Sequence, residues 1–156
     1  ARMSIISTAY DALVDRVETV LDTSNQGYRR IPNPYVVEDN NDLNLKKGYG
    51  VAILPGENTN RVVNCKFSIS RTIEVVLSRL YTGDDENAST RATTEKLLFE
   101  DQYKLINNFE QDLTINGSTM YTKWVSDGGI EYLSGDSGRF FLLKTQFSLE
   151  YLESFV

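Results

Sequence analysis

The feature that most constrains the fold is a long run of alternating apolar and polar residues over residues 61–81. Its apolar positions, all odd-numbered, are Val63, Cys65, Phe67, Ile69, Ile73, Val75 and Leu77, and Arg71 alone interrupts them. A period of two is typical of a β-strand that buries one face. The run is longer than a usual strand of about 3–10 residues. We therefore expect a bulge or bend near residues 70–71, or a strand that extends beyond the body of its domain.

Two other segments have the spacing of amphipathic helices. Residues 4–22 place apolar side chains on one face, and Gly27 follows soon after as a stop signal. Residues 89–113 form the second helix, which Asn116 and Gly117 end. Its apolar stripe is Leu98, Leu105, Ile106, Phe109 and Leu113, with Phe99 and Tyr103 beside it. We expect both helices to pack on the sheet.

The remaining apolar segments predict further strands. Residues 49–54 form a short strand, and the polar residues 56–60 predict a tight turn that returns the chain antiparallel into the long strand. After the second helix come strands at 120–126 and 130–133, separated by a turn at 127–129. A turn at 134–138 then leads to a last long strand with apolar odd positions. The order α-β-β-α-β-β-β predicts one α+β domain, 1–156, with a mostly antiparallel sheet.

Composition excludes several classes of function. The 156 residues contain no histidine, which removes His-based acid–base catalysis, Ser-His and Cys-His nucleophiles and His-rich metal sites. The net charge of −6 argues against a general nucleic-acid binder, which needs a basic face. Cys65, the single cysteine, falls on the apolar side of the long strand and is expected to be buried. We expect no catalytic residues, no cofactor, no metal and no membrane span.

The order of elements resembles the tail-terminator (gpU-like) proteins of long-tailed (siphovirus) bacteriophages. The resemblance lies in the amphipathic N-terminal helix, the Pro-bearing extended segment, and the long strand with Arg61, Phe67, Ile69 and Arg71. An acidic loop, a helix that ends in an Asn-rich turn and a terminal meander complete it. It covers nearly the whole chain at the level of pattern, without a diagnostic motif. Related neck and tail-tube proteins have similar patterns.

The resemblance implies a structural virion protein rather than an enzyme. Such a protein forms a homo-oligomeric ring, a hexamer, that caps the tail tube, stops its polymerisation and joins it to head-completion (neck) proteins. DNA would pass through the lumen without specific binding, and the acidic composition suits that passage. The expected location is the tail of the virion, assembled in the host cytoplasm.

Candidate interface residues come from places that core packing does not explain. Arg71 interrupts an apolar face and needs a carboxylate, a bend or a neighbouring subunit; alternatively, its stem packs while its charged head reaches water. The Pro-bearing segment 29–37 and the acidic loop 82–87 are polar and without periodicity, as binding loops often are. They contribute Arg29, Arg30, Tyr35, Thr82, Asp84, Asp85 and Glu86. Two alternatives stay open: a non-viral cytoplasmic adaptor that binds a peptide at a sheet edge, and a hydrolase that uses paired carboxylates.

Overall fold

The elements of the fold are taken from a computed structural model that describes residues 5–21, 28–30, 47–63, 66–80, 88–115, 120–135 and 138–154. Two helices and six strands occur in these ranges. In chain order they are α1 (Ile5–Leu21), β1 (Arg29–Arg30), β2 (Lys47–Val63), β3 (Lys66–Leu80), α2 (Ala88–Gln111), β4 (Thr114–Ile115), β5 (Met120–Gly135) and β6 (Gly138–Ser154). Both predicted helices are therefore confirmed, with ends shifted by two residues or fewer.

One sheet contains all the described strands, in the order β1-β2-β3-β6-β5-β4. The four long strands β2, β3, β6 and β5 are antiparallel to their neighbours. The two-residue strands extend the edges, β1 parallel to β2 and β4 antiparallel to β5. Together with the two helices this is an α+β fold, as the sequence predicts. The observed element order is α-β-β-β-α-β-β-β, because β1 and β4 are additional short strands and the two strands predicted at 120–126 and 130–133 form one strand, β5.

The predicted turn at residues 56–60 is wrong, because these residues belong to β2. They pair with β3, as in Gly56↔Arg71 and Asn60↔Ser68, and the chain reverses only between Val63 and Lys66. The polar side chains resemble a turn, but β2 accommodates them with three register shifts. Bulges of this kind are typical of edge strands, and proline in a sheet is also found at edge strands and bulges. The irregularity expected near residues 70–71 lies on the β2 side of this ladder.

The predicted turn at residues 127–129 is also wrong. β5 runs unbroken from Met120 to Gly135, and its pairing with β6 changes register between Asp127 and Ile130. Gly129 has a φ of 73° and Gly129 N donates to Asp127 Oδ1 over 2.9 Å, so the glycine pair forms a bulge instead of a reversal. The chain does reverse where the second turn is predicted, between Gly135 and Gly138, which pair with each other.

The hydrophobic core lies between the two helices and one face of the sheet. α1 contributes Leu13, Val17 and Leu21, and α2 contributes Leu98, Leu105 and Phe109. The sheet side consists of the odd-numbered residues Tyr49, Ile73, Val75, Leu77, Phe141, Leu143, Phe147, Leu149 and Tyr151. The apolar odd positions predicted for the two long strands are thus confirmed over residues 73–77 and 141–151. Cys65 lies outside the described residues.

Strand β3 is buried unevenly along its length. From Ile73 to Ser78 every residue is buried, including the even-numbered Glu74, Val76 and Ser78 that point away from the helices. From Lys66 to Thr72 each residue is exposed or partly exposed. We refer to these as the inner half and the outer half of β3. The outer half lies at the margin of the core, although its β6 partners Leu149 and Tyr151 are still buried.

Candidate assembly surfaces

Arg71 lies in the outer half of β3, on the helix-bearing face, and its side chain crosses the neighbouring strand at a glycine. A Cβ atom on Gly56 would come within 2.8 Å of Arg71 Cζ and 2.9 Å of Arg71 Cγ, so the absence of a side chain at residue 56 makes room for the arginine. Arg71 Nε donates to Tyr151 Oη over 2.9 Å. Among the described residues, neither Nη group has a partner. The guanidinium is therefore a partly exposed cation with unused donors.

Gly56 belongs to β2, which lies next to the end of the sheet in the part of the chain that the structure describes. Within the described ranges, β1 is the one strand beyond β2, and it covers only Gly48 and Tyr49. An open strand edge presents backbone N–H and C=O groups that can pair with another chain. The Arg71 guanidinium therefore lies beside a stretch of β2 that no described strand pairs on its outer side.

The opposite edge, formed by β5, is protected by groups of the chain itself. The amide of Thr122 donates to Leu113 O over 2.7 Å, and the amide of Trp124 donates to Glu110 Oε1 over 2.8 Å. Two register shifts further disrupt the strand. Bulges and occupied amides are the means by which proteins keep an edge strand from pairing. Contacts at the β5 edge must therefore come mainly from side chains.

Those side chains are unusually apolar. Trp124 and Val125 of β5 are 39% and 56% exposed, and Phe99 and Tyr103 of α2 are 45% and 64% exposed. Phe99, Tyr103 and Glu110 share a helix face by their spacing of four and seven residues, and Glu110 reaches the Trp124 amide. The α2 stripe therefore faces the β5 edge. We call Phe99, Tyr103, Trp124 and Val125 the aromatic surface; aromatic residues are enriched in protein interfaces.

A buried polar network fixes α2 on the inner half of the sheet. Asp101 Oδ2 accepts hydrogen bonds from Tyr28 Oη over 2.6 Å and from Arg79 Nη2 over 2.7 Å. Burial, followed by the hydrogen bond to Asp101, raises the pKa of Tyr28 well above its ordinary value. The pKa of Arg79 is also raised, since the charge and hydrogen bonds of Asp101 and Tyr28 outweigh the effect of burial. Tyr28 thus remains a hydrogen-bond donor, and the network holds α2, β3 and the start of β1 together.

A second contact holds α1 against the end of α2. Arg16 Nη2 donates to the carbonyls of Asn108 and Asp112, at 2.8 and 2.6 Å, and its Cζ lies 4.4 Å from the centre of the Phe109 ring. A cation at a helix C-terminus also interacts favourably with the helix dipole. Burial lowers the pKa of Arg16, and hydrogen bonds from Thr114 lower the pKa of Asp112. The contact fixes the end of α2 against α1, and this end of α2 carries Glu110, which meets Trp124.

The other predicted interface residues are only partly described. Arg29 and Arg30 form β1, and the exposed Arg30 lies with Nη2 at 3.4 Å from Tyr10 Oη. Tyr35, Thr82, Asp84, Asp85 and Glu86 lie outside the described residues.

Sequence reasoning did not select Trp124, Val125 or Glu110. The available signals were two adjacent apolar residues in an alternating strand, of which one must leave the core side, and a second aromatic stripe on α2.

Over the described part of the chain, no three Cys, Asp or Glu side chains are grouped so that they could hold a metal ion. Neither described helix is both long and apolar enough to cross a membrane. No protein-family model and no curated protein sequence matches the chain. Chemically, the described surfaces offer one partly exposed guanidinium, an open strand edge and an aromatic patch. All three are means of binding a protein surface.

Proposed function

We propose that this chain is a structural protein that assembles head-to-tail into a closed ring, and that the ring acts as a tail terminator of a long-tailed bacteriophage. In that role it caps the tail tube, stops its polymerisation and joins it to head-completion proteins. The viral role comes from the resemblance of the sequence pattern. The ring is also implied by that resemblance, and the geometry of the sheet supports it.

The observation that supports the ring best is the difference between the two sheet edges. Beside the Arg71 guanidinium, β2 has an outer side that no described strand covers past Tyr49, whereas β5 offers the aromatic surface. A head-to-tail contact joins two different patches on opposite sides of a subunit, and such contacts close into rings when the rotation between subunits fits. A two-fold dimer would instead pair one patch with itself.

Charge is compatible with a channel for DNA. The chain carries a net charge of −6, and a ring of such subunits repels a phosphate backbone rather than binding it. Weak contacts between the wall of the ring and DNA would let the DNA move through the lumen. The proposed partners are therefore other copies of the chain, the tail tube protein and a neck protein.

Light scattering coupled to size-exclusion chromatography tests the ring, and negative-stain electron microscopy tests its closure. We expect a single multimeric species with a central hole. Adding the purified chain to polymerising tail tube protein tests the terminator role, and we expect tubes that stop growing and carry a ring at one end. A chain that stays monomeric at high concentration and never binds tubes would contradict the proposal.

A peptide-binding adaptor is the second candidate, because the open β2 edge also suits strand addition by an extended peptide. The two functions differ in oligomeric state. An adaptor would be a monomer whose β2 amides become protected from hydrogen exchange when a peptide binds, whereas a ring subunit self-associates without any peptide.

A further inference from the structure

We propose that neighbouring subunits meet through an ion pair between Arg71 at the β2 edge of one copy and Glu110 at the β5 edge of the next, with the aromatic surface packed around it. This inference rests on the proposed ring and specifies its contact. The occupant of the aromatic surface is thus a second copy of this chain.

The Arg71 guanidinium and the Glu110 carboxylate are complementary in charge. Arg71 uses Nε for Tyr151 and leaves its Nη donors unpaired among the described residues. Glu110 is exposed and uses Oε1 for the Trp124 amide, and its second oxygen has no described partner. A guanidinium and a carboxylate can form strong, directional hydrogen bonds. The two groups are therefore of opposite charge and can pair.

The directions of β2 and β5 also suit this contact. Three antiparallel steps, β2 to β3, β3 to β6 and β6 to β5, separate the outer strands, so β2 and β5 run in opposite directions. When two copies stand side by side with their helices on the same face, β2 of one copy lies antiparallel to β5 of the next. A simple head-to-tail repeat thus continues the sheet in its own sense.

Arg71 and Glu110 also lie at similar positions along the strand direction. One row across the sheet consists of Ile53, Ile73, Phe147 and Trp124. The next row on the same face consists of Gly56, Arg71, Leu149 and Thr122. Glu110 is attached at the Trp124 end of the first row. In the side-by-side arrangement it comes next to the Gly56 end of the neighbour, where the Arg71 guanidinium lies.

The contact between copies is made by side chains rather than by a backbone ladder. The Thr122 and Trp124 amides already have acceptors, so a full backbone ladder between copies would displace Glu110 from Trp124. Packing of side chains needs no such change. The exposed aromatic residues supply apolar area beside the ion pair, and by excluding water they strengthen it.

Charge reversal tests the contact. We expect Arg71→Glu and Glu110→Arg each to raise the concentration needed for half-assembly by about tenfold or more, because like charges then face each other in every interface. An equimolar mixture of the two variants is expected to assemble again, since alternation of the two chains restores an opposite pair at each contact. Lys104→Glu and Glu100→Arg, on exposed parts of α2 outside the contact, are matched controls and should assemble as the wild type does.

Circular dichroism and urea midpoints establish that each variant is folded. Should a reversed variant unfold, the neutral Arg71→Gln and Glu110→Gln take its place, with an expected weakening of assembly by a few-fold. Wild-type assembly of the single variants, or failure of folded variants to assemble when mixed, would overturn the contact while leaving the ring intact. A monomeric wild type would overturn the ring as well.

Discussion

The two halves of strand β3 have the same sequence pattern and different surroundings. Ile73, Val75 and Leu77 in the inner half belong to the core that the sheet shares with both helices and are fully buried, with exposures of 1%, 0% and 0%. Phe67 and Ile69 in the outer half occupy equivalent odd positions and are only partly buried. Alternation therefore identifies the apolar face of a strand, while the extent of the helix layer decides how much of that face becomes core.

The comparison separates the fold from its proposed assembly. The inner half is held by the core and by the Tyr28–Asp101–Arg79 network, whereas in the outer half Arg71 makes one described hydrogen bond, to Tyr151, beside the outer strand β2. Substitutions in the inner half should change the free energy of unfolding. Substitutions in the outer half should change association more than folding.

The largest effect is expected for Leu77→Ala in the inner half. Loss of a fully buried leucine side chain removes apolar contacts and leaves a cavity, so the free energy of unfolding should fall by about 2–5 kcal/mol. Urea denaturation followed by circular dichroism measures it. A midpoint equal to that of the wild type would show that Leu77 is not part of the core.

Tyr28→Phe tests the polar network of the inner half. The loss of a buried hydrogen bond to a charged carboxylate should cost about 1.5–3 kcal/mol near neutral pH. Because the pKa of Tyr28 is raised in the folded state above its ordinary value of 10.0, the stabilisation is complete below that pH. It decreases as the pH rises further, since the unfolded chain then releases the proton.

Urea midpoints of the wild type and Tyr28→Phe, compared at pH 8 and at steps above pH 10, measure this difference. The two midpoints should converge in alkali. Groups that both proteins share affect them equally, so a constant difference across the series would contradict the assigned role of the Tyr28 proton.

Phe67→Ala tests the outer half. A side chain that is only partly buried loses part of the contacts of a core phenylalanine, so we expect a cost of about 1–2 kcal/mol, below that of Leu77→Ala. The same urea titration measures both variants. Equal losses would remove the distinction between the two halves.

The sequence predicts the elements whose periodicity is carried by buried side chains. Both helices and the apolar faces of β3 and β6 are examples. It misplaces the two turns, because polar residues and glycines at 56–60 and 127–129 have the composition of turns and are held in strands by long-range pairing with β3 and β6. Local propensity cannot register a partner strand that is far away in sequence.

The candidate site was predictable only in part. Arg71 stands out as a charge on an apolar face, and that signal is local. The burial of Glu74 and Ser78 and the exposure of Trp124 and Val125 are not local, since they depend on which surfaces the rest of the fold covers. The role of Glu110 depends on a contact between α2 and the β5 edge that no spacing within α2 indicates.

The smallest change in stability, and the sharpest test of the outer half, is expected for Gly56→Ala. Replacement of a glycine in a strand reduces the entropy of the unfolded chain and favours folding by about 0.4–1 kcal/mol. The new methyl group meets Arg71 Cζ at 2.8 Å, so the flexible arginine must move and its bond to Tyr151 is disturbed. The two effects oppose each other, and we expect a net change within about 1 kcal/mol.

Association should respond much more strongly to Gly56→Ala, because the guanidinium leaves the position from which it would meet Glu110 of the next copy. Light scattering over a concentration series measures that response. The exposed Gly128 provides a matched control, since a methyl group there would meet only Lys144 Cβ at 4.0 Å. If Gly56→Ala and Gly128→Ala both assemble like the wild type, the room that Gly56 leaves for Arg71 serves packing within the subunit alone.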